Sequence, residues 1–175
     1  EQAVLGKKGD DVRIDWGYFY LAAGNDRQAS MKLGEYHTVK SEFNESGALS
    51  ATNGNVSQNM QEEMPVLAYS RNLGKVDASS SNGYLMIGYD DLYSIQYFNE
   101  NLMPYWKRNG KVDIYQAFEK AAGNYVSVMH RCGDFDKQLM EQATKDGGEM
   151  YAELCALSYR QAIAAHKLVE SKDGD

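Results

Sequence analysis

The sequence has two cysteines, no long apolar run and fewer basic than acidic side chains, and each shortage excludes a class of protein. Two cysteines cannot build a disulfide framework or supply a four-ligand zinc site, and neither a metal site nor a cofactor is predicted. No stretch approaches the roughly 18 consecutive apolar residues of a membrane span. With 18 Lys+Arg against 25 Asp+Glu, the net charge of -7 argues against nucleic acid as a partner.

The two cysteines, Cys132 and Cys155, are predicted to be buried thiols, although their separation also allows a single disulfide bridge. Cys155 falls on the apolar stripe of a predicted helix, where a thiol is usually inert packing. Residues 1–8 have no basic region followed by an apolar region, so the sequence predicts no signal peptide there.

Tyrosine is unusually frequent, with 13 residues against five phenylalanines. Its ring is apolar and its hydroxyl is polar, which suits half-buried sheets as well as clefts for sugars or amino acids. Sheet packing is the favoured interpretation, because many of the tyrosines lie in runs that resemble strands.

The first 100 residues contain short runs of alternating or continuous apolar residues separated by polar turns, a pattern typical of strands. Strands are predicted at residues 12–16, 18–21, 35–40, 66–69, 84–89 and 93–97. The Asn-, Ser- and Gln-rich residues 44–62 predict a solvated loop. Residues 1–100 are therefore expected to form part of an antiparallel β-sandwich.

From Val112 onward the apolar residues recur every three or four positions, which is typical of helices. A first helix is predicted to end at Gly133, and a shorter second helix to end near residues 146–148. The third is predicted to carry an apolar stripe from Tyr151 to Val169 and to run on to residues 172–175. It has apolar residues on two sides, so we expect neighbours on both. The predicted class is α+β, with residues 101–175 forming three helices.

Two stretches of the sequence carry a resemblance to a known protein family. The first is residues 88–98, Gly-Tyr-Asp-Asp-Leu-Tyr-Ser-Ile-Gln-Tyr-Phe, followed by Leu-Met-Pro-Tyr-Trp at 102–106. The second is residues 147–169, Gly-Gly-Glu-Met-Tyr-Ala-Glu-Leu-Cys-Ala-Leu-Ser-Tyr-Arg-Gln-Ala-Ile-Ala-Ala-His-Lys-Leu-Val. Residues 125–132 and Asp136, which lie between the two stretches, belong to the same pattern. In these residues the chain resembles the large glutaminase A proteins of fungi and gut-type bacteria.

The resemblance implies a longer parent protein, in which a β-sandwich region precedes an (α/α) toroid like that of six-hairpin glycosidases. This chain is then expected to be an internal fragment that carries the end of the sandwich and the start of the toroid. The implied activity is hydrolysis of L-glutamine to L-glutamate and ammonia, with the fragment inactive without the remainder of the parent chain. The implied location is the periplasm or the cell exterior.

Asp90 and Asp91 are the candidate catalytic pair. Amide hydrolysis commonly uses one carboxylate to activate water and a second group to protonate the leaving atom. Adjacent side chains of a strand point to opposite faces, so the two share a site only if the chain bends after Gly88. The alternative is that they form a turn or cap backbone donors.

Glu153, Arg160 and Lys167 recur every seven residues of the predicted third helix and fall on nearly one face. This row is predicted to recognise an α-carboxylate and amine, with Arg160 as the carboxylate clamp. Glu153 is a third catalytic candidate, and Tyr89 and Tyr159 are the remaining candidate substrate contacts. The alternative is a solvated face.

A second function from another class is a noncatalytic module that binds a carbohydrate or similar ligand. Trp16 or Trp106 would stack on a sugar ring, which requires an exposed indole. Trp106 lies where the strand pattern changes to the helix pattern, so its exposure discriminates between the two functions.

Overall fold

The computed structural model describes residues 4–6, 16–54, 64–78 and 83–171. The predicted strand at 12–16 lies outside the described residues apart from Trp16, and the predicted loop at 44–62 is described only as far as residue 54.

Short strands occupy the first part of the chain and long helices the last part, so the predicted α+β class is confirmed. The strands are β1 (Tyr18–Ala23), β2 (Ala29–Glu35), β3 (Pro65–Arg71), β4 (Leu85–Asp90), β5 (Ile95–Tyr97) and β6 (Glu100–Leu102). The helices are α1 (Tyr36–Ser46), α2 (Ile114–Gly147) and α3 (Glu149–Ala165), with a short 3-10 helix at Tyr105–Lys107. The strands pair as β1–β4, β2–β3 and β5–β6, and the last two pairs are antiparallel.

The chain divides into two compact units. One contains residues 21–87, and the other combines the described residues before position 21 with those after position 87. The predicted division into a β-rich part and a helical part at residue 100 stays a prediction.

In the unit of residues 21–87, α1 follows β2 directly and lies beside the β2–β3 pair. The Glu35 carboxylate accepts hydrogen bonds of 2.8 Å from the backbone N–H groups of His37 and Thr38, and Gly47 (φ 68°) ends the helix. The predicted strand at 35–40 is therefore wrong. A cap that satisfies orphan N–H groups, with Val39 buried, outweighs an alternating pattern this short.

The same unit contains a polar cluster around Lys32. Its ammonium forms an ion pair with Glu42 and donates a 2.8 Å hydrogen bond to the Ser50 hydroxyl. Hydrogen bonds from Lys32 and from the Ser50 backbone lower the pKa of Glu42 to about 2. This cluster connects β2, α1 and the loop after α1.

In the other unit, α2 runs for 34 residues and passes through Gly133, so the predicted break there is wrong. A single glycine destabilises a helix by only about 1 kcal/mol relative to alanine, and the helical turns on either side of Gly133 contribute more stabilising free energy than that. The helix begins at a capping box formed by Asp113 and Gln116. Cys132 is exposed on α2 and Cys155 is half-buried on α3, both as free thiols, so the prediction of two buried thiols is wrong for Cys132.

The third helix ends at Ala165, so its predicted continuation through Val169 is wrong, and residues 172–175 of that prediction lie outside the described residues. His166 is extended (φ -102°, ψ 146°), and the segment after it pairs with residues 103–105. The Tyr105 N–H donates to the Leu168 carbonyl at 3.0 Å, and the Glu170 N–H donates to the Met103 carbonyl at 3.3 Å. These bonds replace helical ones and place Lys167 beyond α3. Among the described helices, none is long and apolar enough to cross a membrane.

Candidate functional site

Asp90 and Asp91, at the end of β4, each bind a different lysine. The Lys107 ammonium lies 2.7 Å from Asp90 Oδ1, and the Lys167 ammonium lies 3.1 Å from Asp91 Oδ2. The Ser94 hydroxyl donates to the same Asp91 oxygen at 2.8 Å, and Asp91 is only 5% exposed. We call Asp90, Asp91, Ser94, Lys107 and Lys167 the ion-pair cluster.

The backbone around the cluster depends on Asp90 and Gly17. The Leu92 N–H donates to Asp90 Oδ1 at 2.9 Å, which is the turn-forming role considered as the alternative to catalysis. Gly17 has φ 97°, and a Cβ there would collide with the Asp90 carbonyl oxygen and lie 3.0 Å from Asp91 Cα. Only glycine fits this close approach without strain.

Aromatic rings pack beside the ion-pair cluster. Tyr20 lies edge-on to Tyr115 and to Phe118, with centroid distances of 6.2 and 6.4 Å. Burial, followed by the nearby Tyr115 and Asp90, raises the pKa of Tyr20. The Tyr89 hydroxyl donates to the Trp16 carbonyl oxygen, so this predicted substrate contact helps to hold the residues around Gly17 in place.

The ion-pair cluster leaves little of either carboxylate available to a substrate. A general base must reach the water that it activates within hydrogen-bond distance. One oxygen of each carboxylate already accepts a hydrogen bond from the chain and contacts an ammonium group. The arrangement therefore connects the end of β4 to residues 107 and 167.

A cavity of about 670 Å³ lies between α2 and α3, and we call it the hairpin cavity. Its lining residues are Asp136, Leu139, Met140, Ala156, Tyr159, Arg160, Ile163 and Ala164. The structure thus places the predicted substrate contacts Tyr159 and Arg160 on the wall of one cavity. The Tyr159 ring also packs against Phe135, with centroids 5.0 Å apart.

The cavity also contains Asp136, which the sequence-based site prediction missed. The sequence feature that could have identified Asp136 is its spacing from Leu139 and Met140. This spacing places a charged residue on the same face of α2 as two apolar residues. The periodicity gave the face, but only the packing of α3 showed that this face borders a cavity.

The predicted Glu153–Arg160–Lys167 row is divided by the structure. Lys167 belongs to the ion-pair cluster, and Arg160 lines the hairpin cavity. Glu153 is exposed on α3 and, within the described part of the chain, its side chain forms no hydrogen bond or ion pair. The row fails because α3 ends two residues before Lys167.

Neither metal ligation nor indole stacking is favoured by what the structure describes. Among the described residues, no group of three or more His, Cys, Asp or Glu side chains is placed to hold a metal ion. Trp16 is 8% exposed, and Trp106 is half-buried with the Lys107 ammonium 5.5 Å from its ring centroid.

Comparison with known proteins gives one family and one relative. A protein named Glutaminase A from Aspergillus oryzae is 25% identical over 160 residues, which cover 89% of this chain and 23% of that protein. The chain thus spans about a quarter of the length of this curated relative. No solved structure matches the chain. The model of the family described as "Domain of unknown function (DUF5127)" matches residues 1–142, and the chain belongs to that family.

Proposed function

We propose that the chain forms part of an amidohydrolase that converts L-glutamine to L-glutamate and ammonia. The observation that carries the proposal is the alignment of 89% of the chain with a protein named Glutaminase A. In this reaction water attacks the side-chain carboxamide carbon, the C–N bond breaks, and ammonia leaves after accepting a proton.

The hairpin cavity is the proposed substrate-binding region of this chain. Arg160 offers a planar guanidinium that matches a carboxylate, and Tyr159 adds a hydroxyl on the same wall. Tyr89 and Lys167, the other proposed substrate contacts, already bind groups of the chain, so their roles require those bonds to open.

Asp90, Asp91 and Glu153 remain the proposed catalytic carboxylates, and the structure gives an order in which to test them. Asp90 and Asp91 would have to separate from Lys107 and Lys167 before activating water. Glu153 is exposed and, among the described residues, has no ion-pair partner to displace. Replacing Glu153 with Gln is therefore the first test of this assignment.

The chain spans 23% of the length of its relative, so we propose that the complete active site requires further segments of a longer protein. We also propose that this protein works outside the cytoplasm, in the periplasm or at the cell exterior. The carbohydrate-binding alternative gains no specific support, because Trp16 is 8% exposed and Trp106 is half-buried.

The test is a chimera in which residues 1–175 replace the aligned segment of the Aspergillus oryzae protein. Ammonia release from L-glutamine is measured, with the unmodified relative as positive control and a heat-killed sample as blank. We expect release above the blank. A chimera that melts cooperatively and releases no ammonia would contradict the proposal.

The purified chain is assayed in parallel with the same substrate. We expect no release, because the proposed active site needs additional segments. Release by the purified chain would place a working site within these residues and contradict the need for a longer protein.

A further inference from the structure

We propose that the hairpin cavity is a zwitterion site, in which Asp136 binds the α-ammonium group and Arg160 the α-carboxylate of a free α-amino acid. This inference rests on the proposed function, because it names how the same region would recognise its substrate. It adds Asp136, a new contact of opposite charge, to the site.

The positions of the two charges follow from the helical hairpin. The two helices pack against each other and are joined by Gly148 alone, an arrangement typical of antiparallel neighbours. Asp136 precedes the end of α2 by as many residues as Arg160 follows the start of α3. With the same rise per residue in both helices, the two residues lie at one level of the hairpin.

Asp136 and Arg160 line one cavity without neutralising each other. Within the described residues, neither forms an ion pair or a hydrogen bond with another side chain. Both side chains are exposed, so each is available to a ligand. A negative and a positive group on facing walls match a ligand that carries both charges.

The chemistry of the lining fits an α-amino acid better than a sugar. The guanidinium fork of Arg160 pairs with a carboxylate, and the Asp136 carboxylate accepts hydrogen bonds from an ammonium group. Leu139, Met140 and Ile163 provide an apolar wall for the side-chain methylenes. The volume of about 670 Å³ lies within the roughly 300–1,000 Å³ range of small-molecule sites.

The other described cavities do not combine two available charges of opposite sign. A cavity of about 320 Å³ between α1 and β3 contains Lys40, whose ammonium lies 5.5 Å from the Tyr36 ring centroid, and no acidic residue. A cavity of about 450 Å³ contains Arg71, which already pairs with Asp26 at 2.6 Å. This contrast selects the hairpin cavity.

The test measures binding to the purified 175-residue chain by NMR titration or calorimetry. The ligands are L-glutamine, N-acetyl-L-glutamine, L-glutaminamide and glutaramate, which lacks the α-ammonium group. Because the cavity is open, we expect L-glutamine to bind with a Kd on the order of 1 mM. We expect each of the other three ligands to bind about tenfold more weakly, because a tenfold loss corresponds to one lost charged contact of about 1.4 kcal/mol.

Two variants and two matched controls identify the charged contacts. Asp136→Asn is expected to weaken L-glutamine binding about tenfold and leave glutaramate binding unchanged, whereas Arg160→Met weakens the binding of both. The controls Asp134→Asn and Arg131→Met change exposed residues of α2 outside the cavity and are expected to leave both affinities unchanged. Equal melting temperatures confirm that all variants fold.

The inference is overturned if N-acetyl-L-glutamine binds as tightly as L-glutamine, if Asp136→Asn behaves like Asp134→Asn, or if L-glutamine does not bind. Failure of the zwitterion site can be distinguished from failure of the proposed amidohydrolase function. If the chimera is active and Asp136→Asn does not change its ammonia release, the result would support the proposed amidohydrolase function and contradict the zwitterion site. An inactive chimera, together with L-glutamine binding that depends on Asp136 and Arg160, would support the zwitterion site and contradict the proposed amidohydrolase function.

Discussion

The ion-pair cluster and the hairpin cavity belong to the same unit, but charged side chains are paired with each other in the cluster and exposed to solvent in the cavity. In the cluster, Asp91 is 5% exposed and contacts both Lys167 and Ser94. In the cavity, Asp136 and Arg160 are exposed and, within the described residues, have no charged partner. A buried charge must be compensated by the protein itself, whereas an exposed charge is compensated by water until a ligand replaces it.

This difference separates two roles that looked alike in the sequence. The Asp90–Asp91 pair and the Glu153–Arg160–Lys167 row were both candidate sites, because acidic and basic residues stood at suitable spacings. Within this structure, the cluster connects distant segments of the chain, and the cavity presents charges to solvent. The predictions below test whether the first region is structural and the second available for binding.

The largest expected effect comes from Gly17→Ala. An added Cβ at φ 97° would be strained and would collide with the Asp90 carbonyl oxygen. We expect the free energy of unfolding to fall by roughly 3 kcal/mol, measured by chemical denaturation. Gly24→Ala is the control, since its Cβ would meet nothing within 4 Å. A loss below about 1 kcal/mol at Gly17 would show that this close approach is not required.

Asp91→Ala is expected to have the next largest effect. It removes the acceptor of Ser94 and the ion-pair partner of Lys167, and Lys167, whose side chain is 45% exposed, regains some hydration. We therefore expect a loss of about 2 kcal/mol in the free energy of unfolding. Asp134→Ala, an exposed acid on α2, should stay within about 0.5 kcal/mol. Equal losses in the two variants would show that Asp91 stabilises the fold no more than an exposed acid does, which would contradict a structural role for the ion-pair cluster.

In the unit of residues 21–87, the paired carboxylate of Glu42 is expected to make folding stability depend on pH. Its pKa is lowered to about 2 in the folded protein, from an ordinary value of 4.5. Its stabilising contribution is therefore present above the unfolded pKa and is lost as pH falls through the folded pKa. We expect a carboxyl midpoint near 2 by NMR, and Glu42→Gln should reduce the loss of stability between about pH 5 and 2. A midpoint near 4.5 would contradict the Lys32–Glu42 pairing.

The smallest effect is expected for Asp136→Asn and Arg160→Met, measured as folding stability without ligand. Neither side chain has a described partner to lose, so the free energy of unfolding should change by less than about 0.5 kcal/mol. Losses above about 1 kcal/mol would mean that the cavity charges also support the hairpin.

Local periodicity predicted much of the fold, and its failures have identifiable causes. The 3.6-residue pattern after Val112 gave helices, but a glycine inside it suggested a break that α2 does not contain. Residues 35–40 alternated like a strand, yet the Glu35 cap and the burial of Val39 made them helical. Periodicity shows which face of a segment is apolar. It contains no information about a helix cap or a tertiary contact that stabilises a different secondary structure.

The types of residue in the candidate site could be predicted from the sequence, but which of them lie close together in space could not. Arg160 and Tyr159 were selected from their residue types and now line one cavity. Asp136 was not among the predicted site residues, because Arg160, which lines the same cavity, lies in another helix. Lys167 was placed on the helix, although the chain extends after His166 to pair with residues 103–105. Such non-local bonds leave no regular spacing in the sequence.

The α+β class, the acidic charge and the apolar faces of the helices follow from composition and from the spacing of residues along one segment. Which charges are paired follows from tertiary packing instead. Asp91 and Lys167 are far apart in the chain and meet at 3.1 Å, whereas Asp136 and Arg160 border one cavity without an ion pair. The energy of a charge depends on its burial and on its partners, and both are properties of packing.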